Sequence, residues 1–240
     1  MRPGSPDHGP SCVTKDNARR VRLVLPDALA STTTGATDPI RYYRRPGIGR
    51  VFCRRIEMGL EMIPPGPPGA RALEVGYAAG IVLYNLAPRF SELHGIDLDA
   101  DPIATQARLR EVGVDAALVK GSVLDMHDIY RDDYFDLVAC FSVMEHLSAP
   151  QVALDEMVRV LKPGGVAIIG MPAVNRFMEY AFNAIGFRNI DDHHVTPPSL
   201  VWRLIESRPD RWSFARRSLP EGVPLGTALY STFRLVKRGA

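Results

Sequence analysis

Four groups of residues in this 240-residue chain have types and spacings that suit chemistry. In the first, Glu74 precedes the turn Gly76-Tyr-Ala-Ala-Gly80, between the apolar runs Arg71–Val75 and Ile81–Ala87. A strand that passes through glycine into a helix presents main-chain N–H groups to a small charged ligand, and Gly76 lets the main chain come close. The second is Asp97, at the end of Gly95-Ile-Asp97-Leu. A carboxylate there can accept from both hydroxyls of a ribose. The third is Glu145-His146, an acid beside a group able to act as general base. The fourth is the adjacent pair His193-His194.

The elements that must position these groups are legible from periodicity. Strand signals fall at Arg71–Val75, Glu92–Ile96, Ala116–Val119, Phe135–Cys140 and Val166–Met171, with helical stretches at about 80–88, 100–112 and 150–161 between them. Strands alternating with helices predict a parallel sheet covered on both faces, with ligands held beyond the carboxyl ends of its strands. After Pro172 come a helical piece (about 173–185), a loop through Asp191-Asp-His-His194 and a helix starting near Pro197. Trp212–Leu219 and Leu229–Lys237 lie too close for a helical crossover and are expected to pair as an antiparallel hairpin at one sheet edge.

The flanks differ in composition. Residues 1–37 are rich in Pro, Gly, Ser, Thr and Arg and read as a poorly ordered tail. Residues 38–69 read as a helical lid and hinge: Tyr42 and Tyr43 among arginines, apolar residues at helical spacing from Val51 to Ile63, then Pro64-Pro-Gly-Pro-Pro-Gly69. The remaining 70–240 form the main domain, with an insertion at about 172–210 suited to an acceptor pocket.

Basic residues number 29 against 27 acidic, so charge gives no pull toward nucleic acid or anionic membrane. No apolar run reaches the roughly 18–20 residues of a membrane helix. Three cysteines form neither a metal spacing nor an even disulfide framework, which fits a reducing, cytoplasmic setting.

Spacing separates two nucleotide readings of the first turn. A dinucleotide fingerprint needs glycine at the sixth position, where this chain has Ile81. The acidic residue followed by Gly76-x-Ala78-x-Gly80 instead resembles the first motif of class I S-adenosylmethionine (AdoMet) methyltransferases, with Ala78 in place of the usual middle glycine. Asp97 matches that family's ribose acid. Gly121-Ser122-Val123 resembles its adenine-contacting segment, with Ser122 replacing an acid. Phe135 to Leu147 matches the fourth strand and the loop beyond, and Arg159-Val-Leu-Lys-Pro-Gly-Gly165 the turn into the fifth strand.

The pattern is similar to the small-molecule type 11 branch. It implies a Rossmann-like, doubly wound α/β fold: a seven-stranded sheet, parallel except for its last, antiparallel C-terminal hairpin strand. It also implies AdoMet as cofactor, with Glu74, Gly76, Tyr77, Ala78, Gly80, Asp97, Leu98, Ser122, Val123 and Phe141 contacting it.

The implied reaction moves the AdoMet methyl group to a small-molecule oxygen, next nitrogen or carbon, in biosynthesis or glycan modification. The rival readings are a cofactor-binding scaffold or sensor without transfer, and then a nicotinamide oxidoreductase. His146, Glu145 and His194 are the catalytic candidates; the alternative for His146 is a main-chain-bonded helix-start residue or a substrate contact, and for the histidine pair a solvated loop. The ubiquinone-pathway O-methyltransferases carry Glu-x-x-Glu-His here and bind a divalent metal. This chain has Ser142 at the first position, and one Glu with one His is a thin set for a hard cation, so no metal ligand is assigned.

Overall fold

Strand periodicity decides which side chains face which layer. The computed structural model describes residues 20–31, 40–173 and 194–239. Along β1 (Arg71–Val75), Ala72 packs into one apolar cluster while Leu73 and Val75 enter another, on the opposite face. Leu137, Ala139 and Phe141 of β4 (Phe135–Phe141) alternate with Val138 and Cys140 in the same way.

With β2 (Glu92–Asp97), β3 (Ala117–Lys120), β5 (Leu161–Pro172), β6 (Trp212–Leu219) and β7 (Tyr230–Lys237), these strands form one seven-stranded sheet in the order β3-β2-β1-β4-β5-β7-β6. Strands β1 to β5 pair in parallel, and β7 is antiparallel to both β5 and β6. The order reverses between β1 and β4, so a crevice is expected at their carboxyl ends.

Helices α4 (Ile81–Leu86) and α5 (Pro102–Glu111) lend Leu83, Leu86 and Leu109 to the first cluster, and α6 (Pro150–Val160) and α7 (Pro198–Glu206) lend Leu154, Val201 and Ile205 to the second. Asp101 caps α5, accepting from the N–H groups of Ile103 and Ala104, so Asp97 is not needed for that task. Gly164, at φ 78°, makes the turn expected at Pro163-Gly-Gly165, but β5 already begins at Leu161; a register shift against β4 absorbs the irregularity.

The helix expected over the lid is broken in two. Pro46 and Gly47, the latter at φ 76°, separate α2 (Ile40–Tyr43) from α3 (Ile48–Leu60). Within the stretch expected to be tail, residues 20–31 dock on the domain. Leu23 N–H donates to Glu57, Val24 exchanges two bonds with the Asn85 amide, and α1 (Asp27–Ala30) buries Leu29. The helical piece at 173–185 and His193 fall partly or wholly outside the described residues. Among the described residues, no helix is long and apolar enough to cross a membrane.

Helix α3 lies across β5 and β7 through a glycine contact. A Cβ at Gly59 would sit 2.4 Å from the Phe141 ring and 3.1 Å from Ile168 Cγ2. Gly59→Ala should therefore destabilise by about 1–3 kcal/mol through overpacking, despite alanine's better helix propensity, seen as a lower urea midpoint.

Candidate active site at the β1–β4 crevice

The glycine turn is held from three sides. Gly76 N–H donates to the Ile96 carbonyl (2.8 Å), Gly80 N–H to the Tyr77 carbonyl (2.7 Å), and Thr105 Oγ1 to the Ala78 carbonyl (3.2 Å). Ala78 N–H donates to Asp97 Oδ2 (2.8 Å), while Asp97 Oδ1 accepts from the Asp99 and Ala100 N–H groups, both at 2.9 Å. Asp97 thus binds its own turn and the first turn together. A carboxylate has about four lone-pair sites, so room remains for a hydroxyl donor.

Two expected cofactor contacts take other roles. Glu74 is buried and accepts from Leu83 N–H at 3.0 Å, fixing α4 against β1. Burial pushes its carboxyl well above the usual range, and the Asp97 charge adds to the rise. The Tyr77 ring turns inward beneath β2: a Cβ on Gly95 would meet it at 2.7 Å. This leaves only the Tyr77 main chain for a ligand.

Further along the crevice, Leu98 is 63% exposed directly after Asp97, an apolar surface of the kind a nucleobase face would cover. Ser122 Oγ accepts from Leu124 N–H at 3.1 Å, closing its own turn. A second lone pair and the hydroxyl hydrogen remain for a ligand. Val123 and Phe141 are buried, in the second and first apolar clusters respectively.

The other end is built from four distant segments. Beyond β4, Ser142 adopts φ 57°, a left-handed conformation. Its hydroxyl lies 3.3 Å from Tyr230 OH and accepts from Arg55 Nη1 at 3.2 Å; Arg55 Nη2 donates to Tyr43 OH, also at 3.2 Å. The guanidinium lies over the Phe52 ring (4.6 Å) and the Tyr43 and Tyr230 rings (5.7 Å each). Among the described residues its Nε has no hydrogen-bond partner, and the Glu145 carboxyl acts on it through charge.

Beside this network, Glu145 is buried and its carboxyl is pushed up to about 8 by burial, a rise that the Arg55 charge tempers. Its main-chain oxygen accepts from the Val195 and Thr196 N–H groups, which draws the 194–196 segment onto the β4 loop. The Thr196 hydroxyl adds a 2.6 Å bond to the Leu147 carbonyl. Glu145, His146 and His194 each offer a donor atom, and the three lie within 4.8 Å of one another. The rings of His146 and His194 are 5.1 Å apart.

All three expected catalytic residues therefore meet at one place. The sequence reading missed Arg55 and Tyr230. Arg55 carried a signal, because it follows Phe52 by three on the buried face of α3, where a lone cation is out of place. Tyr230 carried none.

Residues 73–169 match the model of a family described as a methyltransferase domain. Curated relatives include the ubiquinone biosynthesis O-methyltransferases of Shewanella sp. strain ANA-3, 26% identical over 58% of this chain and 62% of the relative, and of Pectobacterium atrosepticum, 31% identical over 40% of each. The chain thus spans less than two thirds of either relative's length. Similar solved structures include a geranyl diphosphate methyltransferase in complex with GPP and sinefungin (TM-score 0.62, 16% identity, 86% of this chain and 87% of that one). The N-methyltransferase NodS of Bradyrhizobium japonicum, in complex with S-adenosylhomocysteine, has a TM-score of 0.57 at 19% identity over 88% of this chain and 97% of that one. At these identities the likeness establishes the fold.

Ala78, at φ 42°, stands where a Cβ is strained. Relieving a left-handed alanine outweighs glycine's entropy cost by roughly 0.5–1 kcal/mol. Ala78→Gly is therefore expected to raise the urea unfolding free energy by that amount, without weakening cofactor binding.

Proposed function

We propose that this chain, which carries a class I S-adenosylmethionine-dependent methyltransferase domain, transfers the AdoMet methyl group to an oxygen of a small-molecule acceptor. The observation that carries the reading is the glycine turn locked by Asp97 at the point where strand order reverses, with Leu98 exposed beside it. On this reading Asp97 accepts from the ribose and Leu98 covers a face of the adenine. The methionine end then points toward Ser142.

Arg55 fits the methionine carboxylate. The half-buried guanidinium donates only to hydroxyls and feels Glu145 without a direct ion pair, so a ligand carboxylate would supply the hydrogen-bonded counter-charge that it lacks. Charge-assisted bonds from Arg55 and a hydroxyl from Tyr43 would anchor that carboxylate and close the lid segment over it.

In the transfer, the bond from methyl carbon to sulfur breaks and a carbon–oxygen bond forms. The sulfur keeps the electron pair and becomes a neutral thioether. The acceptor's hydroxyl proton passes to the Glu145–His146–His194 group, where His194 and the exposed His146 can relay it to water. The protein's main tasks are holding the oxygen in line with the breaking bond and excluding water. Relatives named as O-methyltransferases favour oxygen over nitrogen or carbon. The variable lid and acceptor segment suit biosynthetic or glycan acceptors. The rival reading, a protein that binds AdoMet without transfer, draws on Ala78 and Ser122 standing where the family pattern has other residues.

Calorimetric titration tests the premise: AdoMet and S-adenosylhomocysteine should bind, nicotinamide cofactors should not, and Asp97→Ala should abolish binding. Incubation with methyl-labelled AdoMet and a metabolite extract, read by mass spectrometry, should label a small molecule. Binding without any labelling would favour the sensor.

Arg55 has its own test. Arg55→Met should weaken S-adenosylhomocysteine by roughly 10- to 100-fold, the worth of about 1.5–3 kcal/mol for a hydrogen bond to a charged group. Methylthioadenosine, which lacks the carboxylate, should bind the variant and the parent alike. Equal losses for both ligands would remove Arg55 from this role.

A further inference from the structure

The two edges of the sheet are built differently. β3 has 4 residues, whereas β6 has 8, more than the typical length of about 5–6. Along β6, Ser213, Phe214, Ala215 and Arg216 are all exposed, Phe214 by 36%. Edge strands are ordinarily guarded against further pairing by charge, proline or a bulge. β6 contains no proline, and its register with β7 runs unbroken from Trp212 to Leu219. Its arginines are turned aside: Arg217 bonds to Glu61 and Glu221, and Arg216 lies over the Trp202 ring at 5.3 Å.

The ladder fixes which main-chain groups this edge offers. Arg238 N–H donates to the Arg211 carbonyl (2.9 Å), so the odd-numbered residues that follow turn their N–H and C=O groups toward β7. Trp212, Phe214, Arg216 and Ser218 therefore turn theirs outward, where no strand meets them among the described residues. Their side chains share one face, on which Phe214 meets Trp202 edge-on with ring centroids 5.4 Å apart.

We propose that β6 pairs antiparallel with β6 of a second copy of this chain, about a two-fold axis at Ala215, so that two sheets become one. An axis perpendicular to the sheet keeps each face continuous, so opposed residues are both even or both odd and the axis passes through a residue. An axis at Arg216 or Arg217 would set like charges opposite each other. At Ser213, Phe214 or Ser218 it would leave one end of the strand unpaired. At Ala215, Phe214 exchanges both main-chain bonds with Arg216 of the second copy, and Trp212 does so with Ser218 of that copy. All the outward groups from Trp212 to Ser218 are then used. The same register sets each Arg216 guanidinium beside the Phe214 ring across the axis, a cation–π pair made twice, while Ser213 faces Arg217. Strand pairing alone covers less than the roughly 1,200 Å² of a standard interface, so the dimer should dissociate in the micromolar range. The crevice lies at β1 and β4, away from this edge, and association does not depend on the cofactor.

The test is sedimentation velocity on the full, untagged chain from micromolar concentration to about 100 μM, where the mass should rise toward that of two chains. Ala215→Arg, a change at an exposed position, sets like charges on the axis and should weaken association at least about tenfold. Phe214→Lys should do the same by facing Arg216 of the second copy. Adding Arg216→Glu to Phe214→Lys should restore association to within about threefold of the parent, because only the Ala215 register brings those two positions together. Far-ultraviolet circular dichroism and the urea midpoint check folding, and Ala215→Arg carries the test alone if loss of the Trp202 contact unfolds the Phe214 variants. A parent chain that stays monomeric throughout would leave this edge to some other partner and overturn the dimer. Unchanged association in the folded Ala215 variant, or a folded double variant that does not recover, would overturn the proposed pairing.

Discussion

The active end of this protein depends on one carboxylate. Asp97 closes β2 and accepts three main-chain N–H groups, one from the glycine turn after β1 and two from its own turn. Charge-assisted bonds of this kind contribute about 1.5–3 kcal/mol each, toward the lower end where water reaches the group. Left-handed alanine costs about 1–2 kcal/mol, so the bonds at Asp97 hold Ala78 in a conformation that alanine alone would avoid. A turn fixed in this way approaches its ligand with little left to order, and pre-organisation is what converts contacts into affinity.

Burial and charge divide the remaining work. Glu74 and Glu145 are both acids stripped of water, yet their surroundings give them different tasks. Glu74 accepts from the main chain of α4 and belongs to the scaffold. Among the described residues Glu145 keeps an oxygen without a hydrogen-bond partner beside two imidazoles, and the half-buried Arg55 acts on it without a direct ion pair. Groups left in that state are costly in a folded domain, so they mark where ligands and chemistry are expected rather than where stability resides. Gly76 links the two ends of the crevice: a Cβ there would meet Val143 Cγ2 at 2.3 Å, so the β4 loop can lie directly against the turn.

Much of the scaffold was legible because periodic burial leaves a periodic sequence. The five parallel strands and the terminal hairpin fall within a few residues of their expected places, and Asp97 and the glycines announced themselves by spacing. The single lid helix was misread because Pro46-Gly47 interrupts an otherwise continuous apolar pattern. The docking of residues 20–31 left little trace in composition, since its main-chain bonds go to Glu57 and Asn85, far along the chain.

The sequence by itself determined the layer order of the fold, the place of the glycine turn and the carboxylate, Asp97, that binds it. These rest on local geometry: a side-chain period of two in strands, the freedom of glycine, a carboxylate at a strand end. Only the tertiary structure decided that Tyr77 points into the core, that Arg55 and Tyr230 join Ser142, and that His194 meets Glu145 and His146. Those outcomes depend on which distant segments share a buried space. Residues 55, 142, 194 and 230 become neighbours through the packing of α3, the β4 loop, the acceptor segment and β7, a relation that no local spacing encodes.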